Sequence, residues 1–197
     1  MTESTIRWEK DADNIVTLIL DDPQQSANTM NERYTRSMHE MVNRLEQEKA
    51  DTAGVIITSA KSTFFAGGDL KDLVKVKKED SGKMAEGGRV LKGDLRRLET
   101  LGIPVVAALN GTALGGGLEI ALACHRRIAL NNPKAQFGLP EVSLGLLPGA
   151  GGIVRTVRMM GVQNALMNVL MQGQRMKADK AKQVGLIDEV VDTPEEM

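Results

Sequence analysis

The sequence contains little of several residue types, and each shortage argues against a class of protein. Its single cysteine, Cys124, cannot form an internal disulfide, which favours a reducing compartment. Its two histidines, His39 and His125, are too few for most zinc sites. Aromatic residues make up only 3% of the chain, whereas proteins that stack nucleic-acid bases depend on aromatic side chains.

Charge and hydropathy exclude further classes. The 25 Lys and Arg residues balance 26 Asp and Glu residues, giving a net charge of −1, so we expect no nucleic-acid partner. The longest apolar runs, at 15–20 and 104–109, are far too short to cross a bilayer. The charged residues 1–14 lack the apolar segment of a secretion signal. We therefore expect a cytoplasmic protein with no membrane span.

The length and the apolar pattern predict one α/β domain over residues 1–197. Runs rich in β-branched residues at 15–20 and 54–59 predict strands, and the apolar spacing at 31–49 predicts a helix capped by Asn31. A long helix between two strands indicates a crossover connection in a parallel sheet.

The remaining segments show weaker patterns. We expect a helix to begin over 69–78, a mobile or ligand-covering segment within 71–93, and helical spacing again from 91. Further strands are expected at 104–109, 127–130, 135–138 and 186–191, and further helices at 118–124, 153–160, 162–171 and 178–184.

Three segments each combine glycines with an acidic residue. They are FFAGGDLK at 64–71, NGTALGGGLE at 110–119, and the Gly/Pro-rich stretch 137–152, which contains GLPE and LPGAGG. Glycine lets backbone N–H groups approach a ligand atom, and amides at a helix N-terminus favour a developing negative oxygen. Alone, the run Gly115–Gly117 fits a tight strand-to-helix turn equally well. It lacks the lysine of a phosphate loop and the spacing of a dinucleotide-binding loop.

Together the three segments resemble the crotonase (enoyl-CoA hydratase/isomerase) superfamily, and most of all the hydratase part of the multifunctional fatty-acid β-oxidation α-subunit. The likeness extends from SANTMN at 26–31 to LIDEV at 186–190. It implies a crotonase-like spiral of ββα units and a homo-oligomer. The family normally continues with C-terminal helices, so we expect this chain to end short of them.

The resemblance also implies roles for individual residues. Gly68 and Gly116 match the positions whose backbone amides form an oxyanion hole. Glu119 matches a glutamate that orients and deprotonates water, and Glu141 one that protonates C2 of the substrate. Considered alone, Glu119 also fits a first-turn glutamate that favours the helix dipole, and Glu141 a solvated loop carboxylate. Beside the other motifs, we favour the catalytic interpretation.

The resemblance places a further set of residues along coenzyme A, which enters as part of the substrate, and it implies no metal or redox cofactor. These residues are Ser26, Ala27, Ala66, Asp69, Leu70 and Lys71. Lys71 matches a lysine near the ribose phosphate, although a solvated helix lysine is equally consistent. Asp69 fits a helix cap better than a chemical role.

The pattern as a whole predicts hydration of trans-2-enoyl-CoA to 3-hydroxyacyl-CoA in fatty-acid β-oxidation. One alternative is a Δ3,Δ2-enoyl-CoA isomerase or another crotonase-type chemistry such as thioester hydrolysis; dedicated isomerases often lack the glutamate present here as Glu119. A second alternative is a non-catalytic binding module on the same scaffold. If the chain is part of a longer α-subunit, a thiolase subunit is an expected partner.

Overall fold

The computed structural model describes residues 4–69 and 73–197. Six strands form one large sheet, in the spatial order β1-β2-β3-β4-β6-β8. They are β1 Ile6–Lys10, β2 Ile15–Leu20, β3 Gly54–Ser59, β4 Val105–Leu109, β6 Arg126–Leu130 and β8 Glu189–Val191. β1 pairs antiparallel with β2, and every other neighbouring pair is parallel.

Helices connect these strands. Numbered within the described residues, they are α1 Glu32–Glu48, α2 Ser81–Glu99, α3 Gly116–Leu122, α4 Gly152–Ala165 and α5 Ala178–Gln183. Short 3₁₀ segments lie at Lys49–Asp51, Lys78–Asp80, Pro140–Leu144 and Pro194–Glu196, and a π-helical turn at Leu166–Leu170.

A second, smaller layer is formed by segments that follow strands of the large sheet in the chain. Its two strands, β5 Ala113–Leu114 and β7 Phe137–Gly138, pair in parallel. Single bridges extend the layer between Phe65 and Ala113, and between Met30 and Gly68. A strand of the large sheet leads to a short strand or bridge of the second layer and then to a helix, as in β4, β5 and α3, and again in β2, the Met30 bridge and α1. The predicted α/β spiral of ββα units is confirmed.

The helix α1 shows how the sequence determines one of these units. The side chain of Asn31 accepts a hydrogen bond of 2.9 Å from the N–H of Tyr34, so the predicted cap is confirmed. Tyr34, Met38 and Leu45 lie on the buried face of the helix. Each such burial contributes about 1.5–3 kcal/mol. Tyr34 also packs edge-on against Phe65, with ring centroids 4.9 Å apart, and so joins α1 to the second layer.

Two expectations for the middle of the chain were wrong. The helix α2 begins at Ser81, ten residues before the helical spacing expected from 91. Buried Leu91, Leu95 and Leu98 anchor its C-terminal half, and the exposed N-terminal half continues the same helix despite its glycines. The helix expected to begin over 69–78 does not continue beyond residue 73, because residues 74–77 are turn and coil and a 3₁₀ turn starts at residue 78.

The structure differs from expectation near the N-terminus. Strand β1 was not predicted; its sequence IRWEK is short and charged, and it pairs along one side only, with β2. The separate helices expected at 153–160 and 162–171 are confirmed by a break at Gly161 (φ 80°, ψ 159°), and the second of them includes the π-helical turn. Among the described residues, no helix has both the length and the apolar character required to cross a membrane.

Candidate active site

Two of the glycine-containing segments meet where the second layer crosses the sheet. The N–H of Phe65 donates to the carbonyl of Thr112 at 3.1 Å, and the N–H of Leu114 donates to the carbonyl of Phe65 at 3.2 Å. At Gly67, whose φ is +100°, a Cβ would lie 3.0 Å from the carbonyl oxygen of Leu114. Glycine is required there because the two backbones are in direct contact.

The two candidate donor residues lie beside this contact, since Gly68 follows Gly67 and Gly116 follows Gly115. A Cβ on Gly115 would lie 3.9 Å from the Cα of Gly67, so the residues before the two candidate donors are neighbours. Gly116 is the first residue of α3, where the helix offers no carbonyl to its N–H. Gly68 is exposed and pairs with Met30 in the second layer. The structure therefore brings the two predicted donor residues onto adjacent segments.

Glu119 lies one turn after Gly116 and is 2% exposed. Its Oε1 accepts hydrogen bonds of 2.7 Å from the N–H of Ala150 and 2.7 Å from the N–H of Gly152, at the start of α4. Its side chain therefore reaches the N-terminus of a neighbouring helix. Burial raises the pKa of the Glu119 carboxyl, and the amide hydrogen bonds together with the charge of Arg155 oppose part of this rise.

Glu141 lies in the 3₁₀ segment Pro140–Leu144, and its Oε1 would be 3.0 Å from a Cβ on Gly115. Its Oε2 is buried and has no hydrogen-bond partner in the described part of the chain. Burial raises the pKa of Glu141 to about 7, and the negative charge of Glu119 adds to the rise. Glu141 is thus not a fully solvated loop carboxylate, and the two glutamates interact electrostatically.

The segments predicted to bind coenzyme A run side by side. The N–H of Ala66 donates to the carbonyl of Asn28 at 2.9 Å, and the N–H of Met30 donates to the carbonyl of Gly67 at 2.8 Å. Ser26 and Ala66 are exposed, and Ala27 and Asp69 are half-buried. Leu70 and Lys71 lie outside the described residues.

The buried side chain of Asn28, which sequence reasoning missed, holds these segments in place. Its amide nitrogen donates to the Leu20 carbonyl at 3.0 Å and to Ser59 Oγ at 3.0 Å, and its oxygen accepts from the N–H of Asp22 at 3.0 Å. These bonds link the ends of β2 and β3 beside the candidate site. The only signal in the sequence was the SANTMN stretch itself.

Other reactive groups lie apart from this chemistry. Cys124 is buried, and burial raises the pKa of its thiol to about 12, so the reactive thiolate is not formed near neutral pH. Within the described residues, no three His, Cys, Asp or Glu side chains are grouped as metal ligands. In the part of the chain that the structure describes, the groups near the glycine contact that suit acid–base chemistry and oxyanion binding include the carboxyls of Glu119 and Glu141 and the amides of Gly68 and Gly116.

Known proteins share this arrangement of sequence and fold. Residues 10–197 match the model of the family described as Enoyl-CoA hydratase/isomerase. The chain is 37% identical over 190 residues to subunit alpha of the fatty acid oxidation complex of Shewanella frigidimarina. That alignment covers 96% of this chain and 26% of the relative. It is 38% identical over 180 residues to the same subunit of Idiomarina loihiensis, covering 91% of this chain and 25% of that protein.

The chain thus spans about a quarter of the length of the curated relatives it matches. Among solved structures, an enoyl-CoA hydratase of Bacillus anthracis superposes with a TM-score of 0.85 at 34% identity, covering 96% of this chain and 70% of that one. The predicted resemblance is confirmed, and the chain belongs to the enoyl-CoA hydratase/isomerase family of the crotonase superfamily.

Proposed function

We propose that this protein adds water to trans-2-enoyl-CoA, giving 3-hydroxyacyl-CoA, as a step of fatty-acid β-oxidation. The observation that carries the proposal is the pair of interacting carboxyls, Glu119 and Glu141, beside the contact between Gly67 and Gly115. Hydration of a conjugated thioester needs a base for water, an acid for C2 and donors for the thioester oxygen. Each of these needs has a group at this place in the fold.

Glu119 acts as the base in this proposal. Because the amides of Ala150 and Gly152 hold one carboxylate oxygen, the carboxylate is fixed in orientation and its other oxygen can bind water. As the water oxygen bonds to C3, its proton passes to Glu119 and the π electrons of the double bond move towards the thioester carbonyl.

Glu141 acts as the acid. A carboxyl with a pKa of about 7 retains its proton in a large fraction of molecules at neutral pH and can still donate it. In the proposed reaction it gives that proton to C2, which completes the addition of water. Afterwards Glu119 holds a proton and Glu141 has lost one, so one proton transfer between them restores the starting state.

The amides of Gly68 and Gly116 stabilise the negative oxygen that forms between these two steps. Two N–H donors aimed at a developing oxyanion act most strongly where water is excluded, and losing one such donor typically costs about 3–4 kcal/mol. We further propose that Ser26, Ala27, Ala66, Asp69, Leu70 and Lys71 bind the coenzyme A part of the substrate, and that no metal or redox cofactor takes part.

Isomerisation of a 3-enoyl-CoA to the 2-enoyl isomer is a second candidate activity. The observation that favours it is that Glu141, with its pKa of about 7, can both accept and donate a proton at neutral pH. In isomerisation Glu141 alone takes a proton from one carbon and returns it to another, while Glu119 is a spectator. The two activities therefore differ in their need for Glu119.

Assembly into a homo-oligomer is also part of the proposal, together with a cytoplasmic location and, within a longer α-subunit, a thiolase partner. In support, most of the large apolar side chains that are exposed among the described residues lie between residues 142 and 171. Leu147, at 75% exposed, and Val162, at 61%, are examples. Exposed apolar side chains that form one contiguous patch mark an interaction site with a partner.

The test is a direct assay with crotonyl-CoA and with 2-decenoyl-CoA. Hydration removes the conjugated double bond, so the ultraviolet absorbance of the enoyl thioester should fall when the protein is added, and 3-hydroxyacyl-CoA should form in equal amount. A 3-enoyl-CoA, assayed in parallel, measures isomerisation. Binding of the thioesters without any turnover would support the non-catalytic alternative and contradict the proposal.

A further inference from the structure

Arg155 is a buried arginine directly behind Glu119. It lies in the first turn of α4, is 7% exposed, and its guanidinium packs against Gly151. Its Nη1 donates to the carbonyl of Ala150 at 3.0 Å, and its Nη2 pairs with Glu99 at 3.3 Å. The arginine thus ties the start of α4 to the C-terminal end of α2.

The loop that Arg155 holds is the one that binds Glu119. The N–H of Ala150 donates to Glu119 while the carbonyl of Ala150 accepts from Arg155, so one residue transmits the position of the arginine to the carboxylate. The positive charge of Arg155 also acts on Glu119 and lowers the pKa of that carboxyl. The only acidic side chain bonded to Arg155 in the described structure is Glu99, at the far end of the guanidinium.

We propose that Arg155 is a positioning residue for the reaction: it fixes the amides that orient the Glu119 carboxylate and supplies the positive charge behind them. This inference rests on the proposed function of Glu119 as the base for water. Its consequence is selective, because an interaction that acts through Glu119 affects hydration more than isomerisation.

Two charged groups act on Glu119 from the elements packed against it. Arg155, from α4, favours the charged carboxylate of Glu119. The charge of Glu119 raises the pKa of Glu141, from the 3₁₀ segment, and because such repulsion is mutual an ionised Glu141 disfavours the charged Glu119. Once Arg155 is removed, only the amide hydrogen bonds oppose the rise in the pKa of Glu119 that burial and an ionised Glu141 produce. The carboxyl of Glu119 should then titrate at higher pH, because a nearby opposite charge has been lost.

Arg127 provides a matched control. It is 4% exposed, its Nη1 donates to the carbonyl of Cys124 at 3.0 Å, and its Nη2 pairs with Asp188 at 2.5 Å. Arg127 therefore has the same kind of partners and a similar burial, but among the described residues neither Cys124 nor Asp188 is hydrogen-bonded to the side chain of Glu119. Replacing either arginine should destabilise the protein, whereas only Arg155 should affect the base.

The experiment compares Arg155→Gln, Arg155→Lys and Arg127→Gln in the whole chain. The readouts are thermal unfolding, kcat and KM for hydration of crotonyl-CoA and for isomerisation of a 3-enoyl-CoA, and the pH titration of Glu119 by ¹³C NMR of its carboxyl, assigned with Glu119→Gln. We expect Arg155→Gln to lower kcat for hydration about 10- to 100-fold, as misplacement of a reacting group does. Isomerisation should fall much less, and the Glu119 titration should move to higher pH.

Arg155→Lys, which keeps the charge but not the forked geometry, should restore part of the hydration rate. Arg127→Gln should leave the ratio of the two activities and the Glu119 titration unchanged. If folded Arg155→Gln behaves as Arg127→Gln does in both readouts, the proposal is overturned.

Two further arrangements keep the test decisive. If Arg155→Gln does not fold, Glu99→Gln takes its place, because it removes the ion pair that holds Arg155. This variant must lower the ratio of hydration to isomerisation. An unchanged ratio and an unchanged Glu119 titration would overturn the inference. If the wild-type protein converts no enoyl thioester, the proposed function fails, and the Glu119 titration alone then decides whether Arg155 acts on this carboxyl.

Discussion

Gly115 and Glu141 are in contact across the second layer: a Cβ on Gly115 would lie 3.0 Å from Oε1 of Glu141 and 3.9 Å from the Cα of Gly67. Gly115 also has a φ of 54°, in the left-handed region that disfavours other residues. Gly115 thus lies between Glu141, the proposed acid, and Gly67, which precedes the first proposed donor. It also directly precedes the second proposed donor, Gly116. Its missing side chain lets these groups come together.

A bulky residue at the second proposed donor should remove the oxyanion stabilisation. In Gly116→Val the new side chain would meet the end of Met30, whose Sδ lies 2.8 Å from the Cβ position, so Met30 must move aside and the branched side chain takes up space beside the Gly116 amide. We expect kcat for both activities to fall about 10²- to 10³-fold, as for loss of one oxyanion donor. Gly93→Val, on the exposed face of α2 with no atom within 4 Å of its Cβ position, is the control. Equal kcat values for the two variants would contradict the assignment.

Glu119→Gln should separate the two activities. The variant retains the shape of the side chain but cannot accept a proton from water, so hydration should fall by about 10²- to 10⁴-fold. Isomerisation should be relatively spared, because Glu141 alone carries that proton. The measurement is kcat for crotonyl-CoA hydration and for 3-enoyl-CoA isomerisation in the same preparation. An equal loss of both would show that Glu119 is not specific to the water step.

The raised pKa of Glu141 should make stability depend on pH. With a pKa of about 7 in the folded state and about 4.3 in the unfolded state, the folded protein holds a proton that the unfolded chain has released. The contribution of Glu141 to the free energy of unfolding should therefore be greatest below about pH 4.3 and be lost as the pH rises to about 7. After allowance for the partial exposure of Glu141, we expect a loss of about 1–2 kcal/mol.

Glu141→Gln, which resembles the protonated side chain, should not show this loss. In urea unfolding the variant should be more stable than the wild type by about 1–2 kcal/mol at about pH 8, and similar to it at about pH 4.5. Glu195→Gln, at an exposed site, serves as the control. A stability difference that does not change with pH would show that the carboxyl is not perturbed.

Replacing a glycine in the exposed half of α2 by alanine should stabilise the protein. Gly87 and Gly88 lie inside this helix with no atom within 4 Å of their Cβ positions. Gly87→Ala should raise the free energy of unfolding by about 0.5–1 kcal/mol, because alanine is the better helix former. Gly102→Ala, at a φ of +84°, should instead destabilise the protein. No gain at Gly87 would mean that the segment is not helical in solution.

Local signals in the sequence predicted part of the fold to the residue. The β-branched runs at 15–20 and 54–59 form β2 and β3, and the Asn31 cap forms as expected, since these features depend on neighbours along the chain. The start of α2 at Ser81 could not be predicted in this way. Propensity is a weak guide when four glycines interrupt a helix that is anchored further along by Leu91–Leu98.

The candidate site was predictable only in part. Glu119, Glu141 and the glycines were found through their resemblance to a family, and their spacing alone left structural interpretations open. Two hydrogen bonds, from Ala150 and Gly152 to Glu119, join residues about thirty positions apart. The hydrogen bond from Arg155 to Ala150 joins residues only a few positions apart. No periodic pattern encodes such contacts, because they arise from how α3 and α4 pack.

The rate of crotonyl-CoA hydration by the wild type and by Glu141→Gln at neutral pH tests the central claim most directly. Both proposed reactions need this carboxyl to transfer a proton at C2, which it delivers in hydration and removes in isomerisation. The account therefore predicts active wild type and a loss of about 10²- to 10⁴-fold in kcat for a folded Glu141→Gln variant. Undiminished hydration by that variant would contradict the account.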